Sequence, residues 1–311
     1  MPGSFYMPME IFNGIALALY ALVPIAFLFV TARPQWGARR VAQMSMRARL
    51  PVGFPSTEHS IRVRTRALTR ANMWGLLVAI AVVGSMFILT PLGASPYFLW
   101  FFAIAIFFGV LTISAAVVTT RERLFSPAPA APRVARVQSL SIGDYIGQWR
   151  VWTPTALLAA AGLLIVAVVA TVAVGAVAPD QLAWVGATAA LAVAAVLTGR
   201  AAERRVLSQP QPASDTVELA WDDLFRKDAL STLRMGAAMA AWLPFGLCVA
   251  ILLRAGLPFA SSGWEATLGL FPWWGIPVLQ VVYLLGQGQL PAALYPEFLR
   301  APALAPEGEP A

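Results

Sequence analysis

The chain is short of charge. Of its 311 residues only 12% are Asp, Glu, Lys or Arg, about half the ~25% of an ordinary soluble domain. It has one cysteine, Cys248, so neither an internal disulfide nor a cysteine metal cage is available. Its one histidine, His59, stands in a polar stretch, which leaves no imidazole inside an apolar block to ligate haem or a metal. Its one lysine, Lys227, lies outside every apolar block, so no Schiff base can form within the membrane. No Asp or Glu falls clearly inside an apolar block, which argues against a proton relay. No G-x-x-x-x-G-K-[ST] loop occurs, excluding nucleotide hydrolysis by that route. The expectation is a protein without catalytic residues, cofactor or metal.

What the chain has is apolar length. Hydrophobic residues make up 59% and the mean hydropathy is +0.71. They gather in blocks of about twenty residues, the length that crosses a ~30 Å hydrocarbon layer. The fold expected is all-α: a single polytopic transmembrane domain over 1–311. Its seven spans fall near 11–31, 73–92, 97–118, 154–178, 181–199, 235–254 and 268–286. Six is the alternative, because Pro272 and Pro277 interrupt the last block. The first block follows Glu10 rather than basic residues and is too long for a signal-peptide core, so it reads as a span.

The charge that remains is unevenly placed. Segments 32–72, 119–153 and 200–234 hold nine, five and six basic residues, 20 of the 22 in the chain. The intervening turns 93–96, 179–180 and 255–267 hold none. Loops rich in arginine stay on the cytoplasmic side, which predicts an outer N-terminus and a cytoplasmic C-terminus. The tail 288–311 is expected to be disordered. Arginine and alanine usage points to a bacterial plasma membrane. Arg62, Arg64, Arg66, Arg70, Arg121, Arg123, Arg150, Arg204 and Arg205 are the expected topology anchors. They would meet the lipid bilayer and its anionic headgroups, at about 1 kcal/mol per basic residue near the surface. Nucleic acid is not an expected partner: Trp74 and an apolar span follow Arg70 directly, and no nucleic-acid motif surrounds the run. Trp36, Trp74, Trp149, Trp152 and Trp221 fall at the inner membrane level, as an aromatic belt would place them.

Two cytoplasmic segments read as amphipathic interfacial helices. In 138–152, Ile142, Tyr145, Ile146 and Trp149 share one helical face. In 214–235, Trp221, Leu224 and Phe225 share a face, with Asp222, Asp223, Arg226 and Lys227 opposite; Asp215 and Glu218 suggest a capping box. Trp221, Asp222, Asp223, Phe225, Arg226 and Lys227 form a candidate docking helix for a protein partner, either a membrane chain or a cytosolic ATPase. Asp222 and Asp223 are adjacent, so their side chains diverge by about 100° on a helix, poor geometry for paired acid–base work.

Small residues repeat every fourth position at Ala167, Thr171 and Gly175, and at Gly186, Ala190, Ala194 and Thr198. Such lines let helices approach closely. At the outer side, Arg254, Glu265, Trp273, Trp274 and Gln280 form a candidate aromatic pocket. The leading functional expectation is a non-catalytic membrane subunit, a scaffold or permease-like component of a larger complex. A self-contained transporter or channel for an uncharged or apolar solute is the alternative, and a membrane sensor or regulator a third.

Overall fold

The computed structural model of the chain describes residues 9–89, 106–118 apart from 108, 111 and 115, 140–211, 213–256, 275–285 and 287–299. It is 86% helix and has no strands among the described residues. The helices are α1 (Met9–Ala32), α2 (Pro34–Ala48), α3 (Pro55–Leu89), α4 (Ile142–Tyr145), α5 (Gln148–Ala173), α6 (Asp180–Ser208) and α7 (Thr216–Gly256), followed by the apolar α8 (Gly275–Leu284). Residues 106–118 are helical where described.

Five helices, α1, α3, α5, α6 and α7, are long and apolar enough to cross a membrane. The third expected span is described only over 106–118 and the seventh only over 275–285, so the expected count of seven rests partly on residues outside the described set. The apolar residues on the outside fit lipid contact: Phe29, Ile88, Leu163 and Val174 are each more than 70% exposed. α7 differs. In its most apolar window 56% of residues are buried, against 11% in α3 and α5, so α7 is the central helix and the others flank it.

Helix length explains the rest of the architecture. α3 has 35 residues and α7 has 41; at 1.5 Å per residue they run about 52 and 62 Å, far beyond a ~30 Å hydrocarbon layer. Their N-terminal halves therefore project past the apolar zone. The arginine run at 61–70 is not a loop: it is the first half of α3, continuous with the apolar second half. Segment 216–234 is likewise the first half of α7, not a separate surface helix.

These projecting halves gather the basic segments at one end of the molecule. Val41, Ala48 and Leu50 from α2 and its following turn, Ile61 of α3, Tyr145 and Ile146, and Val206 of α6 form one apolar core with Trp221, Leu224, Leu230 and Leu233 of α7. Leu290 and Leu294 join it from the C-terminal segment, and Tyr295 Oη donates to Ala48 O at 2.6 Å. The expected disorder of 288–311 therefore fails for 288–299, where two short 3₁₀ turns pack. Aliphatic and tyrosine side chains spaced along that stretch reach an apolar surface that the linear sequence does not place beside them.

Local chemistry sets the ends of these elements. α2 starts with Pro34, whose missing N–H costs nothing there, and stops at left-handed Arg49 before Pro51 and Gly53. At the start of α7, Asp215 Oδ1 accepts the Glu218 N–H at 2.7 Å. The reciprocal half of the expected capping box goes elsewhere, because Glu218 Oε2 accepts from Ser214 N and Oγ. The expected helical face over 142–149 is broken. Ser141 and Asp144 cap α4, Ile146 is extended, and α5 begins only at Gln148. Tyr145 and Ile146 go into the core while Trp149 stays 53% exposed.

Close helix approach depends on one glycine in α7. A Cβ added at Gly236 would lie 2.0 Å from Thr112 Oγ1 and 2.9 Å from Thr112 Cβ. Rotating the hydroxyl relieves only the first contact. Gly236→Ala is expected to lower stability by about 1–3 kcal/mol, the usual cost of overpacking. Thr112→Ala in the same chain recovers part of the loss. Thermal unfolding in detergent measures both, and a Gly236→Ala protein as stable as the parent would contradict the close approach.

Candidate functional site

Two features meet at the boundary between the polar and apolar halves of α7: a layer of buried charge and an apolar cavity directly beyond it. The polar layer begins with Glu203 of α6 and Arg234 of α7. Arg234 Nε lies 2.6 Å from Glu203 Oε1, Nη2 donates to Oε2 at 2.7 Å, and Nη1 donates to Val151 O of α5 at 2.9 Å. One guanidinium thus ties three helices together. Their side chains are only 9% and 7% exposed. Burial raises the Glu203 carboxyl above its ordinary range despite the neighbouring Arg234. One turn on, Arg200 Nη2 donates to Thr155 Oγ1 at 3.0 Å, so α5 and α6 are held at the same level.

The six expected docking residues lie inside this layer. Trp221 and Asp223 are fully buried, and Phe225, Arg226 and Lys227 nearly so. Trp221 Nε1 donates to Pro51 O at 2.9 Å, so it is a core residue rather than part of an aromatic belt. Asp222 Oδ2 takes Arg226 Nε at 2.8 Å, and the same guanidinium donates to Val206 O, Gln209 O and Pro210 O at the end of α6. A cation there meets the carbonyls that a helix C-terminus leaves unpaired. Asp223 Oδ1 instead accepts from Tyr145 Oη at 2.9 Å and Gln211 Nε2 at 2.7 Å. The adjacent acids therefore serve different partners. An exposed docking face over these residues is overturned: α2, α3, α4, α6 and the C-terminal segment cover both sides of a helix that looks amphipathic in isolation.

Lys227 and Asp228 close the layer. Their charged atoms are 3.6 Å apart, and Asp228 Oδ1 accepts the Gly288 N–H at 3.2 Å. Burial pushes the Asp228 carboxyl up and the Lys227 amine down.

The expected anchors divide into structural and exposed groups. Arg62 pairs with Glu58. Arg64 is buried, with its guanidinium 5.3 Å from the Phe225 ring centroid. Arg66 Nη2 donates to Arg33 O and Pro34 O at the α1–α2 corner. Arg150 donates to Leu285 O and lies 5.1 Å from the Trp149 ring centroid. Arg70, Arg204 and Arg205 are exposed. Arg121 and Arg123 lie outside the described residues. Glu203 and Arg234 were missed in the sequence because 200–234 reads as a cytoplasmic segment, with Arg234 at the end of a separate surface helix and Glu203 before it, and nothing in the linear order pairs them. The signal available was Glu203 standing alone among Arg200, Arg204 and Arg205. α2 was also missed; it exposes Arg39, Arg40 and Arg47 while burying Gly37, Val41 and Ala48.

Beyond the Glu203–Arg234 pair lies a cavity of about 310 Å³, bounded by α6, α7, Ile276 and the helical residues between 109 and 117. Its wall is apolar. Thr198 turns its hydroxyl back to Ala194 O at 2.7 Å. The expected small-residue line Gly186, Ala190, Ala194 and Thr198 is exposed rather than packed. The buried face of α6 is Val185, Thr188, Ala192, Val196, Gly199, Glu203 and Val206. Ala194 and Thr198 line the cavity.

Of the expected outer pocket, Arg254 is exposed at the end of α7 and Gln280 is half-buried on α8, while Glu265, Trp273 and Trp274 lie outside the described residues. No cluster of three or more His, Cys, Asp or Glu side chains suited to a metal occurs among the described residues. No family model matches the chain, and neither a curated protein nor a solved structure matches it.

Proposed function

We propose that the protein is a non-catalytic integral membrane subunit, a scaffold or permease-like component of a larger complex in a bacterial plasma membrane. The disposition of charge carries this reading. Among the described residues, Glu203, Asp222, Asp223 and Asp228 are the acids of this buried layer, and each is bound to a structural partner: Arg234, Arg226, Tyr145 with Gln211, and Lys227 with Gly288. Groups fixed in this way brace helices against one another. With 221–227 enclosed, the partner is a membrane chain rather than an ATPase docked on that helix. The exposed arginines of α2 face anionic headgroups.

The experiment is purification of the full-length protein in mild detergent after cross-linking in membranes. A second chain is expected in fixed stoichiometry. A lone monomer that moves solute across liposomes would overturn the subunit reading and leave the second one. That second reading, a carrier for an apolar uncharged solute, is favoured by the 310 Å³ cavity.

A further inference from the structure

We propose that the cavity between α6 and α7 seats one acyl chain of an anionic phospholipid, with Arg205 holding the phosphate. The inference rests on the chain spanning a membrane, but not on its being a subunit.

Position is the first argument. The cavity runs from Leu233 to Leu243 along α7 and from Ala202 back to Leu191 along the antiparallel α6. Both stretches rise about 15 Å, half of a ~30 Å hydrocarbon layer. Its polar end is fixed independently. Arg234 to Val151, Arg200 to Thr155, and Glu203 to Arg234 set one level across α5, α6 and α7. Exposed Trp152 lies at this level and exposed Trp149 just on its polar side, where indoles sit at a membrane surface. The cavity thus extends from the headgroup level to the bilayer midplane on the basic side.

Chemistry is the second. The volume of about 310 Å³ is at the lower end of ligand pockets, and apart from Thr112 and Thr198 the wall offers only aliphatic side chains and glycine, with the Thr198 hydroxyl turned to its own helix backbone. Within a bilayer the surrounding medium is itself acyl chain, so the natural occupant is the tail of a neighbouring lipid.

Charge selects the headgroup. Leu191, Ala195, Thr198 and Ala202 line the cavity at spacings of four and three, and the next position on that face is Arg205, one turn beyond the polar end. Arg204 is turned about 100° away round the helix. Arg200 lies on the opposite face and holds Thr155. Arg205 is exposed, and by helical phase it is the cation of α6 nearest the cavity's polar end.

The test is native mass spectrometry of the full-length protein washed in detergent and then titrated with phosphatidylglycerol or phosphatidylcholine. One phosphatidylglycerol is expected to be retained in preference to phosphatidylcholine. Ala195→Phe fills the cavity and should weaken retention about tenfold or more, because the tail loses its packed contacts with the cavity wall. Arg205→Gln should weaken phosphatidylglycerol about fivefold, the equivalent of ~1 kcal/mol per basic residue at the surface, while Arg204→Gln retains it. If Ala195→Phe fails to fold, Ala195→Leu gives the same comparison. Equal retention of both lipids, equal loss in Arg204→Gln and Arg205→Gln, or full retention in Ala195→Phe overturns the proposal. A parent dimer that Ala195→Phe dissolves would place a second copy in the cavity instead. Retention of a long-chain alkane but not of phospholipid would make it a solute pocket. Release of the protein from membranes by alkaline wash without detergent would refute the membrane reading itself.

Discussion

Arg234→Met is expected to lower stability by about 3–5 kcal/mol, the cost of leaving one member of a buried ion pair uncompensated. Glu203 would remain enclosed at the α6–α7 boundary, and α5 would lose its tie through Val151 O. The loss must depend on pH. Burial already raises the Glu203 carboxyl in the native protein. A raised carboxyl contributes stability that is complete below its unfolded pKa and disappears as pH rises through the folded one. Without Arg234 the carboxyl rises further. The deficit of Arg234→Met should therefore be largest near pH 8 and shrink as pH falls toward about 5, as Glu203 takes a proton. A second change, Glu203→Leu in the Arg234→Met background, should recover most of the loss, because an apolar pair of similar volume is often as stable as the ions it replaces. Thermal unfolding in detergent across that pH range reads all three proteins. A pH-independent deficit, or no recovery in the double variant, would show that the pair is not the brace described.

Trp221→Ala is expected to cost about 3–5 kcal/mol, the range for large aromatic side chains removed from a core. Trp221 is fully buried, and its indole sits where α2, α3, α4, α6 and the C-terminal segment converge on α7. Two losses combine: the cavity left by the ring, and the orphaned Pro51 O that Nε1 had satisfied. Trp221→Phe restores most of the ring volume but not the donor, so its deficit should be near the ~1–3 kcal/mol of an unsatisfied buried acceptor. Limited proteolysis gives a second readout, since a loosened core should release 287–299 before the apolar helices open. A Trp221→Ala protein as stable as the parent would return Trp221 to the lipid-facing belt that its sequence position suggests.

The membrane class was legible because it depends on local composition. Apolar runs of about twenty residues need a helix whose backbone bonds close within the segment, and five such helices are present among the described residues. Grouping of the basic segments was legible for a similar reason: charge cannot be left in hydrocarbon, so it collects at the ends of the runs. Partners for that charge were not legible. Whether Asp222 and Arg226 face solvent or an interior depends on what lies against α7, and those neighbours come from residues 41–61, 145–146, 206 and 290–294.

The same division separates the two candidate sites. The small residues of α6 were visible as a pattern, but their spacing alone suggested tight packing. In the fold, the line through Val185, Ala192 and Glu203 packs, and the line through Ala194 and Thr198 opens onto the cavity. Helical periodicity identifies faces without saying which neighbour each one meets, and that neighbour is chosen by long-range packing. The sequence by itself determined that this is a helical, membrane-type protein with its cations gathered between apolar runs. The tertiary structure alone decided that α3 and α7 extend past those runs into a second, charge-braced core. It also decided that the expected docking helix is that core's centre and that an apolar cavity begins where the core ends. Burial of a polar group depends on contacts distant in the chain, and those contacts exist only once the helices are side by side.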